Sequence, residues 1–130
     1  MYKGTVMGYF CVRADTAVST PNSNKVRKAM QNLDWLVGEN IFNNETYEFW
    51  RGPGVDPKKI KTECFLLPAA ATMEKEGSQS NSGRWVQWKY KAADATGDGL
   101  PVGEIEIKIM AAVKKLYEVE YLDADPLPGI

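Results

Sequence analysis

A single amphipathic helix pattern flanked by two apolar, β-rich stretches constrains this chain more than any other feature of it. Val26, Ala29, Met30 and Leu33 recur at i, i+3, i+4 and i+7, with Lys25, Arg27, Lys28 and Gln31 on the other face. Thr20-Pro21-Asn22-Ser23-Asn24 supplies the start chemistry, since short polar side chains accept hydrogen bonds from the first free amides. Before the helix, Lys3 to Phe10 reads as a short buried strand that ends near Gly8 and runs into a polar loop over Tyr9 to Ser19; after it, Trp35 to Phe42 reads as the next strand. Strand, helix and strand at these lengths suit a right-handed parallel crossover, because two parallel strands cannot be joined by a tight turn.

The rest of the sequence extends this pattern. Asn43 to Trp50 reads as a short helix or structured turn, broken by Arg51-Gly52-Pro53-Gly54 and Asp56-Pro57. Glu63 to Leu67, closed by Pro68, reads as a third buried strand. Gly77 to Gly83 is a polar loop, after which Val86, Trp88 and Tyr90 alternate with Gln87 and Lys89 as a half-buried strand does, which makes a hairpin plausible. Asp94 to Gly99 is a turn-rich connector. Ile105, Ile109, Met110, Val113, Leu116 and Tyr117 then trace one face of a second helix, through about Glu118. The pattern gives one α/β domain over residues 1–122 and a flexible tail over 123–130, where Pro126 and Pro128 fall.

Composition excludes several function classes. Sixteen basic against seventeen acidic residues leave a charge of -1, so there is no global attraction for nucleic acid or anionic lipid. No apolar run approaches the roughly 18 residues that cross a bilayer, and Met1 to Thr5 do not begin a basic stretch followed by an apolar one. The chain contains no histidine, which removes the commonest general base and the serine and cysteine triads. Cys11 and Cys64 lie too far apart for an iron–sulfur or zinc motif. Asp94-Ala95-Thr96-Gly97-Asp98-Gly99 begins like a calcium loop but places Ile105 where the bidentate glutamate belongs. Lys58, Lys59 and Lys61 read as a solvated loop.

One stretch is more specific. Phe49 to Tyr90, FWRGPGVDPKKIKTECFLLPAAATMEKEGSQSNSGRWVQWKY, resembles the large subunit of the molybdenum or tungsten formate dehydrogenases that carry a bis-molybdopterin guanine dinucleotide cofactor. STPNSNKVRKAMQNLDWLV and ENIFNNET follow the same family in the same order, so the resemblance spans roughly Lys3 to Glu118. The run from Glu74 to Trp88 is its densest part.

The resemblance implies an α/β, three-layer Rossmann-like parallel sheet with flanking helices and an added β-hairpin, belonging to a molybdopterin oxidoreductase domain. It also implies that loops at the carboxyl ends of the strands hold part of one guanine dinucleotide, as ligands do in open α/β sheets. The cofactor-binding residues it points to are Gly8 in the first loop, Asn40, Asn44, Glu45 and Thr46 in the second, and Glu76, Gly77, Asn81 and Arg84 in the third. Glycine admits close backbone approach, the amide, carboxylate and hydroxyl groups suit guanine and ribose edges, and the arginine fork matches phosphate oxygens. Taken without the family, the same residues are a strand end, turn formers and a surface ion pair, with Trp85 and Trp88 as packing residues.

The chain departs from the family after its first strand, where a short glycine-polar-asparagine-proline-alanine-valine turn is replaced by the longer Gly8 to Val18. The family's cluster cysteines, its metal-binding selenocysteine or cysteine and its catalytic histidine have no counterpart, so no residue here is read as catalytic or metal-binding. The expected role is scaffold and partial molybdopterin guanine dinucleotide pocket, inactive alone, with the remainder of the large subunit as partner and a periplasmic location for the parent. The alternative is a stand-alone binding or interaction module derived from that fold, able to self-associate.

Overall fold

The computed structural model describes residues 1–120. The expected flexible tail over 123–130 lies outside them.

A parallel sheet of three strands forms the centre, in the order β1 (Gly8–Val12), β2 (Trp35–Asn40), β3 (Glu63–Pro68). Gly8 pairs with Trp35 and Val12 with Glu39; Trp35 pairs in turn with Glu63 and Asn40 with Pro68. Between β1 and β2 run the one-turn helix α1 (Thr16–Ser19) and the helix α2 (Ser23–Met30). α2 starts where its chemistry says it should, since the Asn22 side chain accepts from the Lys25 amide at 3.0 Å. Arg27 and Lys28 lie in its last turn, where cations oppose the negative end of the helix dipole.

The pleat sends Cys11 and Leu36 to one face of the sheet, where they meet Ala17, Met30, Leu33, Tyr47 and Phe49 in the buried core. The apolar face read from α2 is therefore the core-facing one, although the helix stops at Met30 and Leu33 packs from the turn that follows. Thr62 tethers that turn by donating to the Met30 and Leu33 carbonyls at 3.0 and 2.8 Å.

Beyond β3, Gly77–Ser80 (β4) pairs antiparallel with Val86–Lys89 (β5), and the helix α3 (Val102–Glu120) follows. Leu100 runs alongside Ala69 and exchanges backbone hydrogen bonds with Pro68 and Ala70, which ties the entry of α3 to the end of β3. Among the described residues no helix is long and apolar enough to cross a membrane.

Five features differ from expectation. The first strand begins at Gly8 instead of ending there, because Lys3 and Gly4 close a turn in which the Gly4 amide donates to the Met1 carbonyl. β2 stops at Asn40, whose side chain accepts from the Ile41 amide and bends the chain away. β3 is exposed at Cys64, Phe65 and Leu66, because it is an edge strand and its core-side neighbours lie over β1 and β2. The expected loop over Gly77 to Gly83 is half strand, and Val86 and Trp88 stand 76% and 58% exposed instead of half-buried. α3 forms as read, but of its apolar face Ile105 is buried and Ile109 half-buried while Met110, Leu116 and Tyr117 stand exposed.

Candidate functional site

The carboxyl ends of the three strands converge on one edge of the molecule. β1 leaves the sheet at Arg13, a left-handed residue with φ of 53° held in place by its own amide, which donates to the Glu39 carbonyl at 2.8 Å. That conformation is unfavourable for any residue but glycine, so it persists through its tertiary contacts. Its guanidinium donates to the Ala70 carbonyl, just past the end of β3. The loops after β1 and β3 are thereby locked together.

Around that lock lies a cleft of about 230 Å³, to which Arg13, Thr72, Lys75, Glu76, Gly77 and Lys89 contribute. Three cations thus come from three places: the exit of β1, the loop before β4, and the end of β5. The Lys89 ammonium is buried and has no hydrogen-bonding partner among the described residues. Burial, followed by the charges of Arg13 and Lys89, lowers the Lys75 pKa below the ordinary lysine range. Glu76 is the one carboxylate at the rim, so positive charge is in excess there. Such a site suits a multivalent oxyanion, for which ammonium and guanidinium groups are the usual partners.

A second cleft, of about 330 Å³, lies between the loop after β2 and the turn Phe49–Arg51. Asn44, Glu45, Arg27 and Arg51 line it, and the Arg27 Nε is buried without a hydrogen-bonding partner among the described residues. Arg51 is ion-paired to Glu48 at 3.2 Å and stacks over the Trp50 ring.

The residues singled out from the sequence divide between these places and others. Glu76 and Gly77 line the cationic cleft, and Asn44 and Glu45 line the second one. Gly8 joins neither: it opens β1, four residues before the carboxyl end of that strand, and the Trp35 ring occupies the space a side chain would take. Asn40 turns its side chain onto its own loop. Thr46 is fully buried, its hydroxyl donating to Asp15 at 2.7 Å and accepting from the Ala17 amide at 3.0 Å, so it pins the loop after β2 to α1. Asn81 and Arg84 form the exposed tip of the hairpin, where Asn81 accepts from the Gly83 and Arg84 amides and Arg84 is left-handed at φ of 64°.

Sequence reading missed Arg13, Lys75, Lys89 and Arg27 as site residues. Lys75 sits inside the dense Glu74 to Trp88 run, and Lys89, one residue beyond it, reads only as a polar partner in an alternating strand. Their common signal is tertiary, since cations on separate elements acquire meaning only when the fold joins them.

In open parallel α/β sheets ligands sit beyond the carboxyl ends of the strands, and the cation-lined cleft lies at that edge of the sheet. The chain matches one short region of the alpha, or major, subunits of formate dehydrogenases. It is 50% identical over 116 residues to formate dehydrogenase subunit alpha of Megalodesulfovibrio gigas, an alignment covering 89% of this chain and 12% of that subunit. It is 44% identical over 120 residues to the formate dehydrogenase 2 subunit alpha (cytochrome c-553) of Nitratidesulfovibrio vulgaris, with 92% of this chain and 12% of the relative covered. With the formate dehydrogenase-O major subunit of Escherichia coli it shares 43% identity over 121 residues, covering 90% and 12% respectively. The chain thus spans about an eighth of the length of the relatives it matches. No protein-family model matches it.

Proposed function

We propose that this chain serves as one α/β segment of a formate-oxidising large subunit and lends a cationic wall to the cleft for molybdopterin guanine dinucleotide. The observation that carries the reading is the partnerless Lys89 ammonium, which shares a cleft with Arg13 and Lys75 beyond the strand ends. A buried cation without a counter-charge is costly on its own, and a bound phosphate group relieves that cost. The residues present therefore fit the anionic part of the cofactor.

In this reading Arg13, Lys75 and Lys89 hold phosphate oxygens, and Gly77, at φ of 146°, lets the backbone come close. Asn44, Glu45 and Arg27 offer hydrogen-bonding groups to a base or sugar in the second cleft. The bound cofactor, with molybdenum or tungsten, supplies the redox chemistry on formate, and this chain's part is binding and orientation. The parent's remaining polypeptide is the proposed partner and the periplasm its proposed location. The exposed Phe10, Trp35, Phe65 and Trp85 are surface that the remainder of the subunit would cover. In isolation the same surface favours self-association, as the stand-alone module reading requires.

The test is a chimera in which the matched 116-residue region of the Megalodesulfovibrio gigas subunit is replaced by this chain. Cofactor content after purification supports the proposal if it matches that of the unaltered subunit and falls when Lys89 is changed to alanine. A folded chimera without cofactor overturns it.

A further inference from the structure

Glu39 is the one carboxylate in the chain's interior among the described residues, and nothing satisfies it. It is 0% exposed, and among the described residues neither carboxylate oxygen has a hydrogen-bonding partner and no cation is paired with it. Register places it on the face of β2 opposite the main core, beside Val12 of β1 and Leu67 of β3. That face looks onto a cavity of about 300 Å³ under α3, lined by Phe10, Val12, Ile109 and Met110 together with Glu39 and Glu106. Glu106 is thus the charged group that α3 brings against Glu39, and it has the same sign. Burial first, and Glu106 second, raise the Glu39 pKa above the ordinary carboxylate range.

We propose that this cavity is a receptor for a basic side chain presented by another polypeptide segment. Its guanidinium or ammonium meets Glu39 and Glu106, and its methylene stem lies against Phe10, Val12, Ile109 and Met110. Two acidic residues beside apolar walls match the build of arginine or lysine, which has an aliphatic stem and a charged head. Residues 121–130 cannot supply it, because they include two aspartates and neither lysine nor arginine. The matched relatives carry about seven-eighths of their length outside this region, and that polypeptide is the proposed source. Phe10 and Met110 remain 45% and 65% exposed, so the mouth of the cavity is open to such a segment. The inference does not rest on the guanine dinucleotide reading, which concerns other residues.

The experiment is a titration of the full chain, carrying carbon-13 in its glutamate carboxyls, with N-acetyl-arginine amide and separately with the neutral isostere N-acetyl-citrulline amide. The arginine probe is expected to shift the Glu39 carboxyl resonance saturably and to lower its titration midpoint, whereas the citrulline probe binds roughly tenfold or more weakly. Glu39→Gln should abolish the difference between the probes, and Glu106→Gln should reduce it. Equal responses to the two probes would overturn the proposal, as would a Glu39→Gln chain that still prefers arginine. The probe comparison is made on the unaltered chain, so it stands even if a variant fails to fold.

Discussion

Tyr47 packs its ring against Gly38, close enough that a Cβ on Gly38 would fall 2.1 Å from the tyrosine ring. The ring cannot swing aside freely, because its hydroxyl donates to the Cys11 carbonyl at 3.0 Å and the side chain is buried in the core. The loop after β2 is thereby fastened back over the central strand and onto the end of β1. Gly38→Ala should cost about 1–3 kcal/mol, the usual penalty for overpacking a well-filled core. A denaturant titration checks it, and an unchanged midpoint would show that the ring relaxes.

Thr46 provides the second fastening, through Asp15 and the Ala17 amide. Thr46→Val keeps the shape and leaves a part-buried carboxylate oxygen and the Ala17 amide without their partner, so a loss of about 1–3 kcal/mol is expected. If Thr46 were a ligand group instead, the valine variant would lose nucleotide affinity with its stability intact. Thermal unfolding and ligand titration on the same sample separate the two outcomes.

Glu39 gives the chain a pH dependence of definite sign. Its folded pKa is raised, so the folded chain holds a proton that the unfolded chain releases. The stability this contributes is fully present below the ordinary glutamate pKa and is lost as pH rises through the raised folded value. Glu39→Gln should therefore be more stable than the parent chain at neutral pH and should flatten the dependence. Unfolding midpoints measured from acidic to neutral pH test this; a destabilised glutamine variant at neutral pH would mean that the carboxylate has a counter-charge.

The strand–helix–strand order was legible because α2 and the strands around it carry their own periodicity and cap, and the core uses those same faces at Met30, Leu33 and Leu36. The burial of β3 and β5 was not legible. Phe65 and Trp88 have strand character whether or not anything covers them, and an apolar run does not by itself show what packs on it. The carboxyl-end location of the clefts followed from topology. Within it, Glu76, Gly77, Asn44 and Glu45 line clefts, whereas Thr46 and Asn40 spend their polar groups on their own loops. Side chains of the same type fill both roles, and only the partners they find distinguish them. Glu39 escaped notice because it stands between Gly38 and Asn40 at the end of an apolar run, where a polar residue ordinarily marks the strand's exit to the surface.

The cationic cleft is the part of the account on which the functional reading depends most, and titration calorimetry with pyrophosphate and with guanosine diphosphate measures it on the chain as it stands. Saturable binding of both is expected, weakened by salt and reduced roughly tenfold by either Lys89→Ala or Lys75→Ala. The Lys75 titration midpoint should rise when the anion is present, because a bound negative charge favours the ammonium. Absence of binding by a folded chain, or binding that both lysine variants retain in full, would contradict a phosphate-holding role for this cleft.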